Sequence, residues 1–90
     1  NGFAWVKKNG KCGCIDKKGN LVIPLIYDGE FEIVFKNELA AVKKDGKWGY
    51  IDKKGEIVIP FEYDLAFGVS ESVAVVQRDG KWGILEIIYN

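Results

Sequence analysis

The only cysteines of this 90-residue chain stand two apart, as Cys12-Gly13-Cys14. Such a pair offers two thiolates to a metal, a dithiol for redox exchange, or two small hydrophobes for packing. Residues two apart in a strand have Cα atoms about 6.6–6.8 Å apart and nearly parallel Cβ vectors, the upper edge of disulfide geometry. Zinc takes four ligands, and a chain without His offers only the two thiols. The expectation is two free, packed thiols, no cofactor and no metal site, Cys12 and Cys14 being the only candidates for one.

The absence of His also removes the side chain most used for general acid–base work near neutrality. Asp28 and Asp64 occupy equivalent places in two similar segments, which predicts an Asx-turn or turn cap for each. With no nucleophile–base pair in view, the chain reads as a non-enzyme. The Lys pairs at 7–8, 17–18, 43–44 and 53–54 resemble a polyanion patch, but acidic connectors share one side with them. Solvated lysines that protect strand edges are the expected role. The formal net charge is zero, thirteen Lys and Arg against thirteen Asp and Glu, so no long-range field draws in a nucleic acid. The aromatics Trp5, Trp48, Trp82, Tyr27, Tyr50 and Tyr63 are read as recurring in step along the chain. They either form a core between units or present a row of rings for sugars or a protein partner.

The elements that must hold these residues follow from composition and repetition. The composition, 48% hydrophobic and 29% charged, is that of one small globular domain. No apolar run approaches the roughly 18–20 residues of a membrane span. Because the chain starts at Asn1 without a signal peptide, it is read as a processed chain or an excised piece.

Val6–Asp28 (VKKNGKCGCIDKKGNLVIPLIYD) and Val42–Asp64 (VKKDGKWGYIDKKGEIVIPFEYD) are identical at sixteen of twenty-three positions, at an offset of 36 residues. A third, partial copy, VQRDGKWGILEI, covers Val76–Ile87. The units run over about 3–38, 39–72 and 73–90, within a single repeat domain spanning 1–90.

Each unit reads as three short strands. Asn9-Gly10, Asp45-Gly46 and Asp79-Gly80 suit two-residue type I′ turns, with both residues at positive φ. Asp16–Gly19 and Asp52–Gly55 suit a type I turn closed by a left-handed Gly. In the second unit the strands are Leu39–Lys44, Lys47–Asp52 and Glu56–Ile59, the last ending at Pro60, which has no amide hydrogen for a ladder. Pairing outward from the turns sets Val42 opposite Gly49, Ile51 beside Ile57 and Gly49 beside Ile59. One face then carries Ala40, Val42, Ile51, Ile57 and Ile59; the other carries Leu39, Ala41, Trp48, Tyr50 and Val58. Two apolar faces need two covers, and the neighbouring units supply them. Gly in mid-strand costs about 0.5–1 kcal/mol against Ala, so Gly49 predicts close backbone approach or a large side chain lying over it. Phe31, Ile33, Val34 and Phe35 form an apolar run with no evident counterpart after Asp64, which predicts an extra edge strand or a contact surface.

The strings KKDGKWGYIDKKGEIVIPFEYD and QRDGKWGIL resemble the WG-containing repeats, also called KWG repeats, tandem arrays found mainly in bacterial proteins. The signature pairs are Trp48-Gly49, followed by Tyr50, and Trp82-Gly83; in the first unit Cys12 and Cys14 stand where Trp and Tyr stand in the second. The resemblance implies a β-rich interaction scaffold, a bacterial surface or secreted setting, and no catalytic residue. The fold expected is all-β: antiparallel three-stranded meanders in tandem, stacked in a solenoid-like array, with a β-propeller or barrel fragment as the alternative. The function expected is non-catalytic protein–protein interaction, with carbohydrate or cell-wall binding by the periodic aromatics as the alternative. The incomplete third unit predicts exposed apolar surface at one end and self-association.

Overall fold

In the computed structural model, residues 2–29 and 32–88 are described, and they form strands, turns and connectors without a helix. The first sheet has the order β1-β2-β3, with β1 at Ala4–Lys8, β2 at Lys11–Ile15 and β3 at Leu21–Asp28. The second has four strands: β4 (Phe35–Lys36), β5 (Leu39–Lys44), β6 (Lys47–Asp52) and β7 (Ile57–Tyr63), again in chain order. The third, ordered β10-β9-β8, contains β8 (Leu65–Ala66), β9 (Val73–Arg78) and β10 (Lys81–Glu86). All pairings are antiparallel, and no sheet closes into a barrel.

The turns follow their local chemistry. Asn9, Asp45 and Asp79 have φ of 52–53°, and the glycine after each is also at positive φ. Gly19 and Gly55 take φ of 87° and 85° and close the second hairpin of their units. Asp16 Oδ1 accepts the amides of Lys18 and Asn20, each at 2.9 Å. Asp52 does the same for Lys54 and Glu56. The Ile-Asp of the repeat is thus a turn-forming device, in which a carboxylate satisfies amides the hairpin leaves unpaired.

The third strand differs from the sequence reading. It does not end at Pro60: β7 continues to Tyr63. Ile51 pairs with Ile57 as the turn requires, but the register then shifts, so that Tyr50 pairs with Ile59 and Trp48 with Tyr63. Pro60, Phe61 and Glu62 stand opposite Gly49 alone. The ladder is already broken at this bulge, so a residue without an amide hydrogen is tolerated there. The shift moves Ile59 off the Ala40/Val42 face and onto the face of Tyr50, and Ile57 and Val58 are exposed. The first unit repeats the device, with Cys14 paired to Ile23 and Cys12 to Tyr27 around Gly13.

The connector run also differs. Phe35 and Lys36 form the short edge strand β4, paired with Ala40 and Leu39. Its counterpart after Asp64 exists, as a bridge between Ser70 and Val73. Both hairpins turn on residues with positive φ and no glycine, Asn37-Glu38 and Glu71-Ser72. Ile33 is buried, Val34 is exposed, and Phe31 lies outside the described residues.

Two cores lie between the units. The first joins Cys12, Cys14, Ile23 and Tyr27 of the first sheet to Ala40, Val42 and Ile51 of the second. The second joins Leu39, Trp48 and Tyr50 of the second sheet to Ala74 and Val76 of the third, with Ala66 and Val69 from the connection between them. Each Trp/Tyr-type face therefore rests on the Ala/Val face of the unit that follows.

Candidate functional site

Alternation along β6 places Trp48 and Tyr50 on one face, where they are 8% and 0% exposed. The Tyr50 phenol donates a hydrogen bond to the carbonyl oxygen of Phe67, so its polar end is satisfied across the junction with the third unit. Burial pushes the Tyr50 pKa up to about 12. Tyr27 is buried in the first junction, its ring centroid 5.9 Å from that of Phe61. Tyr63 is half-buried beside the second. Trp82 is the most exposed of the named rings: it is 59% exposed and stacks on Phe67 at 6.0 Å between centroids. The rings do not form one continuous row.

The signature glycines divide in the same way. A Cβ at Gly49 would lie 2.6 Å from the Ile59 carbonyl oxygen and 2.9 Å from the Phe61 ring. At Gly13 it would press on the carbonyl oxygens of Ile23 and Pro24. The bulge lays the third strand across the middle one, and only a residue without a side chain leaves room. At Gly83 a Cβ would meet nothing within 4 Å.

The recurring Tyr-Asp forms a clamp between units. Asp64 Oδ1 lies 2.7 Å from Lys47 Nζ, and its Oδ2 accepts the Asp79 amide, in the next unit's turn, at 2.8 Å. Asp28 repeats this, with Lys11 Nζ at 3.1 Å and the Gly46 amide at 3.3 Å. The Lys47 hydrogen bond holds the Asp64 carboxyl below its ordinary pKa, and Asp64 in turn raises the Lys47 ammonium. Partial burial raises the Asp28 carboxyl, but the Lys11 hydrogen bond, the Gly46 amide and the charges of Lys11 and Lys43 outweigh it and hold it low. Both aspartates cap a turn, and the turn belongs to the neighbouring unit. Lys11 and Lys47 are the partners that sequence reasoning did not single out. Their signal was the lysine present before the signature position in all three units, at 11, 47 and 81.

Cys12 and Cys14 are thiols buried against the second unit, and the Cys12 thiol donates to the Asp28 carbonyl oxygen at 3.5 Å. Burial raises both thiol pKa values; the Trp5 indole partly offsets this for Cys12, and Cys12 adds to it for Cys14. Trp5, read from sequence among the recurring rings, pairs with Cys14 in β1 and occupies the place that Ala41 holds opposite Tyr50. It is 37% exposed. The first unit has Trp-Cys-Cys where the second has Ala-Trp-Tyr, so bulk moved from the middle strand to the first. Ile33 and Phe35 complete the packing there.

The charged groups form separate pairs. Lys53 lies 3.5 Å from Glu38, and Arg78 lies 3.0 Å from Glu62. Among the described residues, no three Cys, Asp or Glu side chains gather as metal ligands, and no helix is long and apolar enough to cross a membrane. Two open grooves carry aromatic residues. One of about 260 Å³ runs over Phe3, Trp5 and Cys14, and one of about 420 Å³ runs beside β10 over Tyr63, Trp82 and Gly83.

Comparison with curated proteins and with solved structures gives no match. The family model described as WG containing repeat matches residues 1–12, 13–48 and 48–82, almost the whole length. These segments contain the turn aspartates, the bulge glycines Gly13 and Gly49 and both inter-unit clamps, and the chain belongs to the WG containing repeat family.

Proposed function

We propose that this domain is a non-catalytic repeat scaffold that binds protein. The observation that carries the reading is the uncovered Trp/Tyr-type face of the third unit. Trp82 and Ile84 are 59% and 70% exposed, whereas Trp48 and Tyr50, at the same positions of the second unit, are buried. An aromatic anchor beside aliphatic neighbours, rimmed by Arg78, Asp79 and Lys81, has the make-up of a protein-docking patch. The titratable groups support a non-catalytic role: the thiols are held protonated and the clamp aspartates ionised, each moved away from the range useful to an acid or base near neutrality.

A second reading, glycan binding, is favoured by the stacked Phe67–Trp82 pair, whose ring faces suit the C–H face of a sugar. Affinity capture with the wild-type domain and with Trp82→Ala, read by quantitative mass spectrometry beside a glycan array, separates the two. The expected result is a defined protein set lost in Trp82→Ala, with no saturable glycan. Saturable quenching of tryptophan fluorescence by a glycan, abolished by the same substitution, would overturn the protein reading.

A further inference from the structure

In the first two sheets the middle strand is flanked on both sides, by β1 and β3 and by β5 and β7. In the third, β10 is an edge strand, and Lys81–Ile84 are all exposed. Among the described residues no strand pairs with this edge. Where the other units carry Asp-Lys-Lys-Gly and double back, this one reads Glu86-Ile87-Ile88, and the Ile87 amide continues outward to the Ser72 carbonyl.

Three features of the open edge have partners in the earlier units. Gly49 is pressed by the Ile59–Pro60 backbone, and Gly83 by nothing within 4 Å. Tyr27 is met by the Phe61 ring, whereas its equivalent Tyr63 lines the open groove beside β10. Lys47 is held by Asp64, the last residue of Ile-Pro-Phe-Glu-Tyr-Asp, whereas Lys81 makes no ion pair with a carboxylate among the described residues. Nothing else in the unit requires a mid-strand glycine at position 83, where it weakens the strand.

We propose that the open edge of β10 is a strand-acceptor site, and that its occupant is an extended segment of the type Ile-Pro-Phe-x-Tyr-Asp presented by a partner protein. The Ile pairs beside Ile84, the Pro crosses Gly83, the Phe packs on Tyr63, the Tyr stands beside Trp82, and the Asp pairs with Lys81. Main-chain hydrogen bonds to the free edge supply affinity, and the glycine gap and the lysine supply register. The assignment rests on the protein-binding reading and narrows it to one strand and one ligand pattern.

The probe is the peptide Glu-Ile-Val-Ile-Pro-Phe-Glu-Tyr-Asp, the sequence of Glu56–Asp64, titrated into the 90-residue chain by calorimetry and by amide chemical-shift mapping. Shifts confined to β10, Tyr63 and their neighbours are expected. Gly83→Val should keep the fold, since a Cβ at this exposed position meets nothing within 4 Å, yet abolish peptide binding by blocking the Pro. Lys81→Glu should weaken binding about two- to fivefold, as for a partly exposed ion pair. Shifts on β6, marking exchange with β7, or unchanged binding by Gly83→Val would overturn the assignment, as would failure of the peptide to bind. Failure here with Trp82-dependent protein capture intact removes the strand-acceptor site alone; loss of both removes the protein-binding reading.

Discussion

Lys47 and Asp64 lie 2.7 Å apart at neighbouring ends of the middle and third strands, and the same carboxylate reaches the Asp79 amide of the following unit. One side chain therefore sets both the end of its own bulged hairpin and the position of the next turn. Asp64→Asn keeps the shape but weakens the ion pair, and should lower the thermal midpoint. Asp28→Asn should act in the same direction at the first junction. Circular dichroism melts of the two single variants and the double variant check this, with near-additive losses expected because the junctions are separate.

The clamps and turns also determine the response to acid. Asp16, Asp28 and Asp64 have folded-state pKa values held below their ordinary 3.8, for Asp16 chiefly through the Asn20 amide. A depressed carboxylate contributes stability fully above its unfolded value and loses it as pH falls through the folded value. The urea midpoint should accordingly be flat from neutrality to about pH 5 and fall below pH 4. Asp64→Asn should show a shallower acid limb than wild type; an identical limb would contradict the assignment.

Two glycines of the same signature should behave oppositely. Gly49→Ala forces a Cβ against the Ile59 carbonyl and should destabilise by about 1–3 kcal/mol, in the manner of overpacking. Gly83→Ala meets open space, removes backbone freedom from the unfolded chain, and should be neutral or stabilising by up to about 0.5–1 kcal/mol. Equilibrium urea unfolding of both variants gives the comparison directly.

Tyr50→Phe removes a donor from the second junction and leaves the Phe67 carbonyl without that partner. A loss of about 0.5–1.5 kcal/mol is expected from the hydrogen bond. In the wild type, ultraviolet titration should find one tyrosine that ionises only near pH 12 or on unfolding. That late component should vanish in the variant.

The exchange of bulk between Trp5 and the cysteines is testable as coupling. Cys12→Trp with Cys14→Tyr restores the signature but crowds Trp5, and should cost about 1–3 kcal/mol. Adding Trp5→Ala should recover much of it, with a coupling energy of about 0.5–3 kcal/mol. Additive behaviour would mean that the first unit accommodates the rings elsewhere.

The legible parts of this fold were those with local chemical causes. Asp45-Gly46 announces its turn because both residues must take positive φ, and β5 and β6 start and stop where that turn and Asp52 require. The assignment of Ala40, Val42 and Ile51 to one face and of Leu39, Trp48 and Tyr50 to the other needed only alternation. The bulge was not legible. Pairing outward from Asp52 assumes one residue opposite one residue, and the extra residues at Pro60–Glu62 appear in no local signal beyond an unexplained glycine and a proline. The Asn37-Glu38 and Glu71-Ser72 hairpins were hidden for the opposite reason: they take a glycine-type conformation without glycine and match at neither of the two positions. In the candidate site, the recurrence of Trp48 at Trp82 and of Tyr27 at Tyr63 was visible, whereas Trp5 stands at the Ala41 position and does not recur; which ring a neighbour covers depends on the stacking order, and so Trp48 and Trp82 looked alike.

The second unit meets its two neighbours with different faces, Ala/Val towards one and Trp/Tyr towards the other. Contacts between unlike surfaces have a direction and no built-in end point. A gene duplication that inserts one whole repeat would present each new face to the partner it already fits. Arrays of this kind can therefore lengthen by whole repeats, each added junction setting the same two types of face against each other.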